Sequence, residues 1–127
     1  MLAMFRRIFS SKFFPLSWTL LTILLLCLPG SMVPGTGIFA LKNLDKVVHV
    51  MLFAMNVLFW GWHYEMSDME SRQLKIIFVA ATAIMITIGI IMEYVQMYFI
   101  PNRTFDGYDI VADVIGSVLA GLWLLRA

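Results

Sequence analysis

Long apolar runs separated by short polar or proline-containing segments dominate this 127-residue chain. Four runs are candidates for helices, over about 13–28, 47–64, 74–100 and 108–125. A helix of about 20 apolar residues crosses the hydrocarbon core of a bilayer, so the last three runs have adequate or nearly adequate length. The first is short unless it begins before Pro15.

No run alternates in the way that a membrane β-strand would, and a helix is the other structure that satisfies its own backbone in lipid. The pattern therefore predicts an all-α integral membrane fold, a four-transmembrane-helix bundle. We expect the whole chain, residues 1–127, to form a single membrane domain.

The composition supports the membrane class and narrows the function classes. Hydrophobic residues make up 61% of the chain and charged residues only 13%, which is unlike a soluble globular domain. The net charge of +1, without a basic stripe to neutralise phosphates, argues against nucleic acid as a partner. The single cysteine, Cys27, excludes an intrachain disulfide.

The basic residues predict the orientation. With the N-terminus inside, three basic residues fall in outer segments and six in cytoplasmic ones, so the positive-inside rule favours N-in/C-in. The N-terminal basic residues followed by a short apolar run also fit a signal peptide, but no convincing cleavage site follows, and we expect an uncleaved first helix. The six cytoplasmic residues are Arg6, Arg7, Lys12, Arg72, Lys75 and Arg126, and the three outer ones are Lys42, Lys46 and Arg103.

The connection over 29–44 is apolar despite two prolines and three glycines. One interpretation places it in the outer membrane interface or over the bundle. The other is a simple long connector.

Polar side chains concentrate at one end of the predicted bundle. They come from the start of the second helix, the end of the third, and the following loop with the start of the fourth. A carboxylate at the bilayer centre costs about 2.5–3.5 kcal/mol on insertion scales, so membrane sequences keep such groups mainly where they are used. The predicted ligand-binding residues are Asp45, Lys46, His49, Glu93, Gln96, Arg103, Asp106, Asp109 and Asp113.

Helical spacing predicts that these groups face the interior. Asp45 and His49 are four residues apart, as are Asp109 and Asp113, so each pair shares one helix face. A ladder of small residues, which lets another helix approach closely, runs beside the two aspartates on the fourth helix. Its members are Ala112, Gly116 and Ala120.

The predicted cluster contains more carboxylates than cations. Arg103 can pair with one carboxylate and Lys46 with another, which leaves at least two acids without a cationic partner. Three outcomes are open: a protonated acid, a bound divalent cation, or a cationic ligand. The metal-ligand candidates are Glu93, Asp109 and Asp113, and the catalytic candidates are His49 and Glu93. A purely structural hydrogen-bond network is the alternative.

The same stretches resemble the VanZ-like family of small bacterial membrane proteins. The matching residues are Asp45-Lys46-Val47-Val48-His49 with Phe53, then Glu93-Tyr94-Val95-Gln96, then Pro101-Asn102-Arg103-Thr104-Phe105-Asp106, Asp109 and Gly116. The resemblance covers most of the chain from Asp45 onward. One departure is Asp113, where the family usually has Asn.

The resemblance implies a multi-pass protein of the bacterial plasma membrane, linked to the cell envelope and to resistance against the glycopeptide teicoplanin. We expect an outward-facing polar pocket that binds a membrane lipid, a lipid-linked envelope precursor or another amphiphile. Arg103 and Lys46 would contact an anion, while Glu93, His49 and the aspartates would hold a cation or act as acid and base. Whether a reaction is catalysed stays open. The alternatives are a small transporter or channel, and a structural or partner-binding protein that could form a homo-oligomer.

Overall fold

A computed structural model describes residues 1–32 and 44–126 of the chain. The described residues form five α-helices: α1 (Leu2–Ser10), α2 (Phe13–Leu26), α3 (Leu44–Glu65), α4 (Ser71–Phe99) and α5 (Gly107–Leu125). A short 3₁₀ turn over Gly30–Met32 follows α2. Most of the connection predicted over 29–44 lies outside the described residues, so neither interpretation of it is tested.

Three helices, α3, α4 and α5, are long and apolar enough to cross a membrane. If α1 and α2 together formed one broken span, the described residues would contain four spans. The axes of these two helices are bent by 67° from each other. The described residues confirm the prediction of an all-helical fold, in which three helices have the length and apolar character that a membrane span needs. Four spans and the N-in/C-in orientation stay predictions.

Close backbone approach holds α5 against its neighbours. The ladder of Ala112, Gly116 and Ala120 is buried, and α5 packs most extensively on α3. A Cβ atom on Gly116 would collide with the carbonyl oxygen of Val50, so only glycine allows this approach. The ladder therefore serves packing inside the bundle.

A buried polar group connects α2 to α3. Asn56 is fully buried, and its side-chain amide donates to Thr22 Oγ1 at 2.9 Å. Thr19 Oγ1 donates to Asn56 Oδ1 at 2.7 Å, and Trp60 Nε1 donates to Thr19 Oγ1 at 2.9 Å. Polar side chains in a membrane helix bond across helices in this way, so α2 is held by hydrogen bonds as well as by apolar packing.

Three hydrogen bonds tie the end of α2 to the far end of α4 and the loop after it. Gln96 Nε2 donates to the carbonyl of Leu26 at 2.8 Å, and Arg103 Nε donates to that of Leu28 at 3.0 Å. The backbone N–H of Gly30 donates to the carbonyl of Pro101 at 2.9 Å. The bond from Gln96 satisfies one of the orphan carbonyls at the end of α2, that of Leu26.

Candidate functional site at the carboxylate end

The start of α3, the end of α4 and the start of α5 meet at one end of the bundle, which we call the carboxylate end. It contains five carboxylates, one lysine and one histidine that are linked by hydrogen bonds and ion pairs. These residues are Asp45, Lys46, His49, Glu93, Asp106, Asp109 and Asp113.

Lys46 is the centre of the outer part of this cluster. Its Nζ lies 2.6 Å from Asp45 Oδ2, 2.5 Å from Asp106 Oδ2 and 2.7 Å from Asp109 Oδ1. An ammonium group has three donors, so these three carboxylates use its hydrogen-bonding capacity in full. Sequence reasoning assigned Lys46 one carboxylate, and the structure gives it three.

Asp106 is also the N-cap residue of α5. Its side chain accepts from the backbone N–H of Tyr108 at 2.9 Å, which caps the helix. It lies in the loop between α4 and α5, where the hydrogen bond from Lys46 holds the pKa of its carboxyl below the usual range. One carboxylate therefore both caps α5 and connects it to α3.

His49 lies deeper and joins α3 to α5. Its Nδ1 is 2.7 Å from Asp113 Oδ1, and its Nε2 is 3.7 Å from Asp109 Oδ2. With Asp113 ionised, its carboxylate only accepts hydrogen bonds, and the hydrogen of the shorter contact then lies on Nδ1. The longer contact exceeds hydrogen-bond distance, so these two atoms do not bond directly.

Asp113 is almost fully buried, at 1% exposure, and lies against α4. A Cβ atom on Gly89 would come within 2.7 Å of Asp113 Oδ2, so the glycine makes room for this carboxylate. One turn further along α5, Ser117 is fully buried, and its Oγ has no hydrogen-bond partner among the described residues.

Glu93 connects α4 to the same cluster through a hydrogen bond to a backbone N–H. Its Oε1 accepts from the N–H of Asp106 at 2.7 Å, and its side chain is buried. Because this bond is formed next to the start of α5, Glu93 positions the loop that presents Asp106 to Lys46. Glu93 therefore lies beside the cluster, as the sequence predicted. Its own contact is the hydrogen bond that holds the loop before α5.

Arg103 and Gln96 are directed away from the carboxylates. Both donate to carbonyls at the end of α2, and no described carboxylate pairs with Arg103. The excess of negative charge at the carboxylate end is therefore larger than the sequence suggested. The ion pair expected between Arg103 and a carboxylate is not formed among the described residues.

The metal candidates are only partly brought together. Among the described residues, one set of three carboxylates has ligand atoms within 4.8 Å of one another, and it consists of Asp45, Asp106 and Asp109. The ammonium of Lys46 bonds to all three, so it takes the place that a cation would occupy. Of the predicted candidates, Asp109 belongs to this set, while Glu93 bonds to a backbone N–H and Asp113 to His49. A divalent cation stays a prediction.

An apolar groove with a volume of about 580 Å³ runs between α3 and α5, next to the cluster. Lys46 lines its polar end, and apolar side chains line the rest. The groove is formed by Lys46, Val47, Val50, Met51, Tyr108, Val111, Ala112 and Ile115. Sequence reasoning missed it, although the small residue Ala112, facing α3, was a signal that a space could form there.

No protein-family model and no solved structure match the chain. An uncharacterised protein from the fission yeast Schizosaccharomyces pombe is 36% identical to it over 76 residues. The matched stretch is 60% of this chain and 43% of the yeast protein, so the chain covers less than half of that relative. The resemblance to the VanZ-like family stays a prediction.

Proposed function

We propose that this is a multi-pass membrane protein that binds an amphiphile, with the head group at the carboxylate end and the tail in the groove between α3 and α5. The proposal rests on Lys46, which belongs to both the apolar groove and the polar cluster. Its side chain lines the apolar groove, while its ammonium contacts three carboxylates. Polar and apolar recognition are therefore adjacent, as an amphiphile requires.

The charge balance favours a cationic, hydrogen-bond-donating head group such as an amine. Five carboxylates face one lysine and one histidine, and Arg103 is directed to the carbonyl of Leu28. His49 Nε2 and Asp109 Oδ2 lie 3.7 Å apart without a direct hydrogen bond, so a donor placed beside them could contact both. This differs from the sequence interpretation, in which Lys46 and Arg103 contact an anion.

A binding experiment separates the two head-group classes. The full chain in detergent micelles is titrated with a fluorescent long-chain alkyl amine and, separately, with an alkyl sulfate of the same chain length. We expect the amine to bind at least about tenfold more tightly, which corresponds to about 1.4 kcal/mol. Equal or tighter binding of the sulfate would contradict the proposal.

Two variants test the site. Ile115→Trp fills the groove from an exposed position and should weaken binding of the amine, while Asp109→Asn should weaken it by removing a charge. Val118→Trp is the matched control, because Val118 lies on the same helix outside this groove. If Val118→Trp weakens binding as much as Ile115→Trp, the groove is not the tail site.

The resemblance to the VanZ-like family supports a narrower proposal, that the protein acts in the envelope of a bacterium and lowers its sensitivity to teicoplanin. Expression in a susceptible bacterium should raise the inhibitory concentration of teicoplanin, and Glu93→Gln and Arg103→Ala should abolish the increase at unchanged protein levels. Thr87→Ala, which alters an exposed residue on α4, is the control. Full activity of Glu93→Gln would exclude the carboxylate end from this function, and full activity of Arg103→Ala would exclude the contact between the loop after α4 and the end of α2.

The orientation proposed with it is N-in/C-in, with the carboxylate end outside. In a Cys27→Ser background, a membrane-impermeant thiol reagent should label Thr104→Cys from outside but not Ser71→Cys. Thr104 is the better position in the loop because Asn102 has a φ of 59°, a left-handed conformation that asparagine tolerates better than cysteine. Reversed labelling would place the carboxylate end inside the cell.

A transporter or channel has less support. A relay of ions or protons needs a continuous row of polar groups across the membrane. At mid-depth Asn56, Thr19 and Thr22 satisfy one another, and the buried Ser117 forms no hydrogen bond with any described residue, so no such row is formed among the described residues. An enzymatic function would use His49, oriented by Asp113, as a general base. Within residues 1–32 and 44–126, no Ser or Cys forms a hydrogen bond with His49 that would activate it as a nucleophile.

A further inference from the structure

Helix α1 lies across the opposite end of the bundle and is fixed there by aromatic contacts. The ring of Phe9 is 5.3 Å from that of Trp62 and 5.5 Å from that of Phe59, between centroids. The backbone oxygen of Phe9 accepts from His63 Nδ1 at 2.8 Å. With the bend of 67° between α1 and α2, these contacts set α1 at a steep angle to the helix that follows it.

The two sides of α1 have different chemistry. At 100° per residue, one half of α1 is apolar and consists of Leu2, Met4, Phe5, Ile8 and Phe9. Phe5 and Phe9 contact the aromatic cluster from one flank of this half, and Met4 lies on its other flank. Met4 is nevertheless 63% exposed. Arg6 and Arg7 are exposed on the opposite half. A helix that is held on one flank, with an exposed apolar flank and a basic face, has the pattern of an interfacial helix.

Positive charge accumulates around α1. The antiparallel order of α3, α4 and α5 brings the start of α4 and the end of α5 to this end of the bundle, which we call the basic end. Six basic residues lie there with only three acidic ones, Glu65, Asp68 and Glu70. The basic residues are Arg6, Arg7, Lys12, Arg72, Lys75 and Arg126.

We propose that α1 lies in the membrane plane at the level of the lipid head groups and binds anionic lipid through Arg6 and Arg7, with Met4 in the acyl chains. The other arrangement that the bend permits is a broken span, in which α1 enters the hydrocarbon. That arrangement would carry two arginines into the membrane, at an unfavourable free energy. The in-plane arrangement keeps both in contact with phosphate groups, which attract basic residues near the surface.

Quenching by brominated lipids tests this with the full chain. A fluorophore is attached to Met4→Cys in a Cys27→Ser background, and the protein is reconstituted in vesicles of phosphatidylcholine with a minor fraction of phosphatidylglycerol. We expect brominated phosphatidylglycerol to quench about twofold more than brominated phosphatidylcholine at equal mole fraction. Bromines near the head groups should quench more than bromines near the chain ends.

Charge variants assign the preference to α1. Arg6→Gln with Arg7→Gln should remove the preference for the anionic lipid while helix content is unchanged, since both side chains are exposed. Arg72→Gln with Lys75→Gln, an equal loss of charge at the same end, should retain it. Equal quenching by the two lipids in the parent protein, equal loss in both double variants, or stronger quenching by the deep bromines would each overturn the proposal.

Discussion

His49 Nδ1 and Asp113 Oδ1 lie 2.7 Å apart, although 64 residues separate them along the chain. Both side chains are buried, His49 on α3 and Asp113 on α5. A buried hydrogen-bonded pair of this kind fixes the rotation of the two helices about their axes, because either rotation would leave a polar group unpaired. The register of α3 against α5 therefore depends on this contact as well as on the approach at Gly116.

Substitutions at Asp113 should distinguish its charge from its hydrogen bond. Asp113→Asn keeps a side-chain oxygen that accepts from His49 Nδ1, so we expect a loss of less than about 1 kcal/mol in the free energy of unfolding. Asp113→Leu leaves Nδ1 without a partner and should lose about 1–3 kcal/mol. Unfolding in mixed micelles, followed by circular dichroism, measures both. Equal losses would mean that the contact contributes through charge or packing alone.

Lys46→Met should destabilise the bundle by leaving three carboxylates without their cation. Asp45 and Asp106 are partly exposed, so solvent screens them, and the effect rests mainly on Asp109, whose side chain is 10% exposed. We expect a loss of about 2–3 kcal/mol, below the value for a fully buried pair. Adding Asp109→Asn should recover part of the loss, whereas Lys75→Met at the basic end should cost under about 0.5 kcal/mol. No recovery in the double variant would contradict this account.

Gly116→Ala should destabilise the contact between α3 and α5. Its new Cβ atom would collide with the carbonyl oxygen of Val50, which is backbone and cannot rotate away. Overpacking of this kind costs about 1–3 kcal/mol. Gly107→Ala is the control on the same helix, because the nearest atom to a Cβ there is 3.9 Å away, on Phe105. The free energy of unfolding of each variant is measured in mixed micelles by circular dichroism. Similar values for the two variants would refute the close approach.

The ion pair of Asp106 with Lys46 should make stability depend on pH. The folded protein holds the pKa of Asp106 below its usual range near about 4, so the unfolded state binds more protons between the two values. This contribution is fully present above about pH 4 and is lost as the pH falls through the folded pKa. Asparagine caps a helix as well as aspartate does, so Asp106→Asn should flatten the acid side of the stability curve without loss of the cap.

The unfolding midpoints of the parent and of Asp106→Asn, measured at a series of pH values from mildly to strongly acidic, test this prediction. Asp68→Asn, in the exposed loop between α3 and α4, is the control and should keep the parent curve. A curve for Asp106→Asn as steep as that of the parent would show that other groups dominate the acid response.

The apolar pattern alone determined the long helices. The runs predicted over about 47–64, 74–100 and 108–125 agree with α3, α4 and α5 within three residues at each end, because apolar length and the proline at 101 define spans without reference to neighbours. Spacings of four also placed Asp109 and Asp113 on one buried face. Helix α1 is not among the predicted helices, because Arg6 and Arg7 lie where charges that flank a membrane span are expected. The spacing of Leu2, Phe5 and Phe9 was the available signal.

Only the tertiary structure decided which polar groups pair. Periodicity gives the depth and face of a side chain, but several acids share one depth, and a flexible lysine or arginine reaches any of them. The structure directs Lys46 to three carboxylates and Arg103 to a backbone carbonyl of the α2 end. It also forms the groove between α3 and α5, whose space depends on how closely two helices approach and on which side chains border the gap. Neither property is encoded in the pattern of a single helix.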